Sequence, residues 1–210
     1  MEMNLLEQIM RTVSEAARFP VIIVLLCFLG FSLFSIGMAA SEAWNERRHI
    51  HYHLSRLLEN LQESDSKNLE KNIRLSGLPG RHKKILLELA SHPSFDREML
   101  ESLEDNLMEK EQAHYSDILS ATSLVARLAP MAGLLGTLIP LGPGIIALSS
   151  GDTAVLSRSL LTAFDTTTIG LIAAAICLVI GHIRRRWYTE YMSDLQTLAD
   201  CIVNRCNRRE

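Results

Sequence analysis

Aromatic residues are scarce in this chain of 210 residues, at 6%, and charge of neither sign dominates: 21 Lys and Arg stand against 24 Asp and Glu, a net −3 with a pI near 6.2. Phosphate binding draws on clustered, surplus Lys and Arg, so nothing in this balance points to nucleic acid. Four cysteines suggest neither a disulfide framework nor a zinc site. Cys27 and Cys177 lie inside apolar runs, and Cys201 and Cys206 are badly spaced for one helix face; they read as small apolar or reduced thiols. The stretch Gly77-Leu-Pro-Gly-Arg-His-Lys-Lys84 has glycines and lysines without the GxxxxGK[ST] spacing of a phosphate loop. His49, His51 and His53 alternate, which on a helix spreads them over different faces rather than around a metal. No catalytic residue, metal or cofactor is expected.

What the chain has in excess is apolar sequence, 48% of its residues, with a mean hydropathy of +0.13. It concentrates in Phe19 to Ala40, Leu128 to Leu148 and Leu160 to Ile183. Each run has about the 20 residues a helix needs to cross roughly 30 Å of hydrocarbon. The first is longer and later than a cleaved signal peptide and reads as a permanent span. The expected fold is therefore an all-α integral membrane protein with three transmembrane helices and a long helical cytoplasmic segment between the first and second.

Basic flanks set the orientation, because Lys and Arg next to spans stay cytoplasmic. Before the first span Arg11 and Arg18 are offset by Glu2, Glu7 and Glu15; after it come Arg47, Arg48 and Arg56. Arg184, Arg185 and Arg186 follow the third span, and the connection between spans two and three has no Lys or Arg before Arg158. The N-terminus is expected outside and the C-terminus inside the cell (inner) membrane. Residues 1–18 form an amphipathic helix on the outer interface, with Pro20 breaking or kinking the entry to the span at 19–43. Residues 44–117 are a cytoplasmic helical segment, broken near Ser76 to Gly80 and at His92-Pro93-Ser94. Ser94 is the expected cap of a helix with Asp96 and Glu98 in its first turn, running unbroken into the span at 118–148. A short outside turn at 149–155, a third span at 156–183 and a cytoplasmic tail at 184–210 complete the chain.

Within the spans, Ala126, Pro130, Gly133, Thr137, Pro140 and Gly144 recur at alternating spacings of three and four, as do Ala163, Thr167, Gly170 and Ala174. Each set makes one stripe of small or kinking residues, with Gly136 as a further packing position, and such stripes let helices approach closely in lipid. Packing alone accounts for the glycines and alanines; a threonine hydroxyl can also serve as a waypoint for a proton or water. Asp165 is the acidic residue set well inside a span, where an ionised carboxylate costs at least about 2.5 kcal/mol. Thr162 and Thr166 flank it in a polar strip separate from the Thr167 stripe. In a hairpin with Thr137 level with Thr167, Arg127 is roughly 18 Å from Asp165 along the axis, and Arg158 reaches it only by stretching inward. An ion pair, a protonated packing residue and a role in ion passage all remain open for Asp165.

Ala129-Pro130-Met131-Ala132-Gly133-Leu134-Leu135-Gly136-Thr137 and Ala163-Phe164-Asp165-Thr166-Thr167-Thr168-Ile169-Gly170-Leu171 resemble the paired AP..GL.GT and AL..T..GL patterns of the MotA/TolQ/ExbB proton channel family, in its TolQ/ExbB-like branch. The resemblance implies a homopentamer around a dimer of a TolR/ExbD-like or MotB-like single-span subunit with an intramembrane aspartate, embedded in membrane lipid. Protons would pass between that aspartate and a path of Thr137, Thr167, Asp165, Thr162 and Thr166, with flow shifting the partner to do work. Pro130, Gly133, Gly136, Pro140, Gly144 and Gly170 would shape the packing. Two departures stand out: the third-helix glutamate of ExbB-like members falls at Thr162, and Leu-Ile-Pro-Leu-Gly-Pro-Gly follows Thr137 in place of Trp-Gly. A non-conducting scaffold assembled around a partner is the alternative.

Overall fold

The computed structural model describes residues 2–45, 66–76, 78–92 and 95–207. Among the described residues five helices follow one another: α1 (Glu2–Asn45), α2 (Ser66–Leu75), α3 (Gly80–Ala90), α4 (Arg97–Ser149) and α5 (Thr153–Asn207). There is no strand among the described residues. α1, α4 and α5 are each long and apolar enough to cross a membrane. The histidine triplet, Gly77, Pro93 and Ser94 lie outside the described residues.

Local chemistry explains the helix ends. Asp96 stands directly before α4: its Oδ1 accepts the Arg97 N–H at 2.8 Å, and its carbonyl accepts from Met99 and Leu100. The acidic first turn there holds Glu98 as expected. α4 then runs through Pro130, Pro140 and Pro143 without ending. α1 likewise continues through Pro20, which therefore does not break the entry to the first span. Such prolines persist in membrane helices because neighbouring groups re-satisfy the carbonyls they free. Between α4 and α5 the turn is tight: Gly151 adopts φ +82°, a conformation only glycine takes at no steric cost, and Asp152 Oδ1 caps α5 by accepting from Ala154 and Val155 at 3.1 Å.

The chain divides into two compact units. The first comprises Met1–Gly37 and Ser120–His182. Its core is small: Val125, Ala126 and Ala129 of α4 meet Ala173, Ala174 and Cys177 of α5, with Phe28 and Phe31 of α1 packed on them. Leu25, Ser32 and Ser35 are the buried face of α1, at helical spacing.

The second unit comprises Met38–Leu119 and Ile183–Glu210. Its larger core joins Ile73 of α2, Ile85, Leu86 and Leu89 of α3, Leu107 of α4, and Leu195, Leu198 and Ile202 of α5. The segment after the third span is thus no loose tail: α5 continues without a break and supplies one wall of this core. Arg184 is not an exposed topology signal either. It is buried, with its Nε 3.2 Å from Glu42 Oε2 of α1, and the Tyr188 hydroxyl donates to the same carboxylate at 3.4 Å. Arg185 and Arg186 remain exposed.

Candidate functional site

The residues singled out by spacing converge on the antiparallel pair formed by α4 and α5 in the first unit. Side chains are too small there to hold the helices apart. A Cβ on Gly170 would lie 2.6 Å from the Ala129 carbonyl oxygen, and one on Gly133 would lie 3.2 Å from that of Thr166. At Gly136 it would strike the Thr166 side chain at 2.7 Å, and at Gly144 it would meet Ser159 at 3.0 Å. The contacts at Gly170 and Gly133 are backbone-to-backbone, of the kind that stabilise helix pairs where lipid offers no hydrophobic drive.

The register differs from the equal depth of Thr137 and Thr167. Gly136 lies against Thr166, Gly133 against Gly170 and Gly144 against Ser159, so in an antiparallel pair Thr137 comes level with Asp165 and Thr166 rather than with Thr167. The threonine at the heart of the seam is Thr166, 7% exposed, while Thr137 and Thr167 are half-buried at its margin. Thr166 and Asp165 therefore do not share a polar strip: the one points into the seam and the other outward. Asp165 is exposed and, among the described residues, has no hydrogen bond or ion pair. Pro130 is half-buried, whereas Pro140 is buried.

Every threonine hydroxyl in the proposed path turns its proton back to its own helix. Thr137 donates to Leu134 O at 2.7 Å, Thr162 to Arg158 O at 3.0 Å, and Thr167 to Ala163 O at 3.2 Å. Thr166 is shared between Thr162 O at 3.1 Å and Ala163 O at 2.9 Å. The hydroxyl oxygens keep free lone pairs, so in this state they act as acceptors and relay a proton only by rotating.

One feature escaped the sequence reading. Arg18 and Ile22 of α1, Gly136 and Pro140 of α4, and Thr162 and Thr166 of α5 line a cavity of about 10 Å³. The signal available was the position of Arg18 directly before the first apolar run, which on charge counting marked only topology. Ser32 and Ser35, three residues apart, likewise carried a legible small-residue seam.

Two of the buried titratable groups of the second unit are His82 and Glu104. His82 Nε2 lies 3.0 Å from the Tyr115 hydroxyl and 4.0 Å from Glu111 Oε1, while Arg81 Nε reaches both Glu111 oxygens at 3.1 and 3.0 Å. Burial lowers the His82 pKa, with Arg81 adding to this and Glu111 opposing it. Glu104, on α4 ahead of its apolar stretch, is pushed up to about 7 by burial first, then by Asp200, Asp105 and Glu101, with a side-chain hydrogen bond to Asp200. Neither group was expected to matter from sequence. Among the described residues, no group of His, Cys, Asp and Glu is arranged to hold a metal.

A family model described as the MotA/TolQ/ExbB proton channel family matches residues 65–197. No curated protein matches the chain.

Proposed function

Since that match spans more than half of its length, the chain belongs to the MotA/TolQ/ExbB proton channel family, and we propose that it is the multi-span subunit that couples proton flow down the proton-motive force to movement of a single-span partner. Family membership and three apolar helices make it a multi-pass membrane protein of the channel and transport type. The finer reading is a homopentamer around a dimer of a TolR/ExbD-like or MotB-like subunit with an intramembrane aspartate. It lies in the inner membrane, N-terminus outside and C-terminus in the cytoplasm, as the basic flanks favour.

The observation that carries this reading is Asp165. It is an ionisable group in an apolar stretch, exposed, level with Thr137, and without a partner among the described residues. Lipid is an expensive environment for such a carboxylate, so its face belongs against another polar surface, either a second copy or the partner's aspartate-bearing helix. Thr137 and Thr167 border that face, and Thr162 and Thr166 lie behind it.

Proton flux into liposomes, with and without a candidate partner, tests the proposal. Asp165→Asn is expected to lower partner-dependent flux about a hundredfold or more while leaving assembly intact, the range over which a positioned proton-transfer group acts. Thr167→Val removes a hydroxyl at nearly constant shape and is expected to lower flux as well. Unchanged flux in both variants would remove these residues from the path.

The hydroxyl geometry favours one second reading. All four path threonines are already satisfied by their own helices. A non-conducting scaffold would use them in just this way, and wild-type protein that assembles with its partner without partner-dependent flux would establish it.

A further inference from the structure

Depth across the first unit can be read from its packing. Arg18 and Ile22 of α1 share a cavity wall with Thr162 and Thr166 of α5, so the two helices run side by side in the same direction. Continued in step, Phe28 and Phe31 come level with Ile172 and Ala175, and they pack on a cluster that includes Ala173, Ala174 and Cys177. Arg18 is therefore level with Thr162, and Asp165 lies three residues, or roughly 4.5 Å, further along the axis. In the other direction Glu15 is level with Ser159, about 1.5 Å from the depth of Arg158.

Glu15, Arg18, Arg158 and Asp165 are all exposed. Along its helix α1 presents Glu15 and then Arg18, negative before positive; α5 presents Arg158 and then Asp165, positive before negative. Each pair shares a helix face, Glu15 and Arg18 about 60° apart and Arg158 and Asp165 about 20° apart. The two faces do not meet within one chain. The side chains of Arg18, Arg158 and Asp165 have no hydrogen bond or ion pair among the described residues, although Arg18 and Asp165 are within about one turn in depth. Asp165 is turned about 100° from Thr166, which faces the seam. Arg127 of α4 is level with about Ala175, roughly 15 Å along the axis from Asp165, and is too distant to be its counter-ion.

We propose that these two charge pairs are the two sides of a subunit interface: the α1 face with Glu15 and Arg18 in one copy docks on the α5 face with Arg158 and Asp165 in the next, and Arg18 is the counter-ion of Asp165. Charges at an apolar span pair with one another or line a polar cavity, because lipid solvates them poorly. Rotation about the membrane normal leaves every residue at its own depth. Complementary charges in a ring of copies must therefore already stand at matching depth in a single chain, as these do. A helix face that meets a different face of the next copy makes a head-to-tail contact, the kind that closes a ring. Opposite charges in this order also fix which face docks and at what height. The proposal rests on the multi-copy part of the motor reading, to which it adds the residues that make the contact, and it assigns the Asp165 face to a second copy rather than to the partner's helix.

Two measurements on the full chain, both without partner, test it. In a background without other cysteines, Arg18→Cys and Asp165→Cys chains carrying different tags are co-expressed and treated in membranes with a short thiol cross-linker. A product carrying both tags is expected, whereas Arg18→Cys with Arg127→Cys is expected to give none. No mixed product, or one as abundant as with Arg127→Cys, overturns the interface. Charge reversal is read by native mass spectrometry of the detergent-solubilised protein: Arg18→Asp and Asp165→Arg are each expected to lower the oligomeric fraction several-fold, and both together in one chain to restore it. A monomeric wild type, single reversals without effect, as lipid-facing charges would give, or a double variant that restores nothing also overturns it. Neither measurement involves flux, so failure here is separate from the absence of partner-dependent flux in wild type, which would sink the motor reading instead.

Discussion

At the scale of single residues, the seam between α4 and α5 is governed by the absence of side chains. Gly170 faces a backbone oxygen that cannot swing aside, so Gly170→Ala is expected to cost about 1–3 kcal/mol through overpacking and to lower the thermal midpoint of the detergent-solubilised protein. Gly30→Ala, where a Cβ would meet nothing within 4 Å, is expected to leave it unchanged or slightly raised, since alanine is the better helix former. Equal effects at the two positions would contradict the close approach. The spacing pattern made Gly133, Gly144 and Gly170 legible as packing positions. It did not rank Thr166 above Thr167, because adjacent residues differ by about 100° around a helix and only the partner helix says which direction is inward.

At the scale of elements, two contacts tie helices together in the second unit. Glu42 of α1 neutralises the buried Arg184 of α5. Glu42→Ala leaves that guanidinium buried and uncompensated, with an expected loss of about 3–5 kcal/mol, and Glu42→Gln, which keeps a hydrogen-bonding group, is expected to lose less. Denaturation of the two variants side by side checks the order. Glu104 of α4 and Asp200 of α5 are a carboxyl pair. With its pKa raised in the folded state to about 7, Glu104 binds its proton more tightly folded than unfolded. Its contribution is therefore full below the ordinary carboxylate range and lost as pH rises through about 7. Glu104→Gln is expected to stabilise the protein by about 1–2 kcal/mol at pH 8, after discounting for solvent, and to change little at pH 5. His82 has the opposite sign: its pKa is lowered, so stability falls as pH drops below the ordinary histidine value. Thermal melts of wild type and Glu104→Gln across this range distinguish the two, since only the high-pH loss disappears in the variant.

At the scale of the whole molecule, the outward surface of the first unit is strongly apolar. Met131, Leu134, Leu135 and Leu138 of α4 and Leu161, Phe164 and Leu171 of α5 are all exposed. Asp165 interrupts this surface, and Thr166 beside it is buried. In a background without other cysteines, Asp165→Cys is expected to cross-link in membranes to a second copy or to the partner subunit, whereas Thr166→Cys is expected to stay unreactive. The reverse result would mean that the helix faces are exchanged in the assembled complex.

The amino-acid sequence by itself determined what depends on local composition and period. Three apolar runs of spanning length, the small-residue stripes and the paired motifs around Gly133 and Gly170 are all written within stretches of a few turns. Hydropathy and the helical repeat suffice to read them. The tertiary structure alone decided what depends on rotation and on distant partners. It turned Thr166 inward and Asp165 outward and brought Arg18 to the wall of a small cavity with Gly136, Pro140, Thr162 and Thr166. It paired Glu42 with Arg184 and made α5 beyond residue 183 part of a core with α2 and α3. Spacing tells which residues share a helix face. Which face is buried, and which of several charges meets a given acceptor, is settled by helices that pack from far apart in the chain.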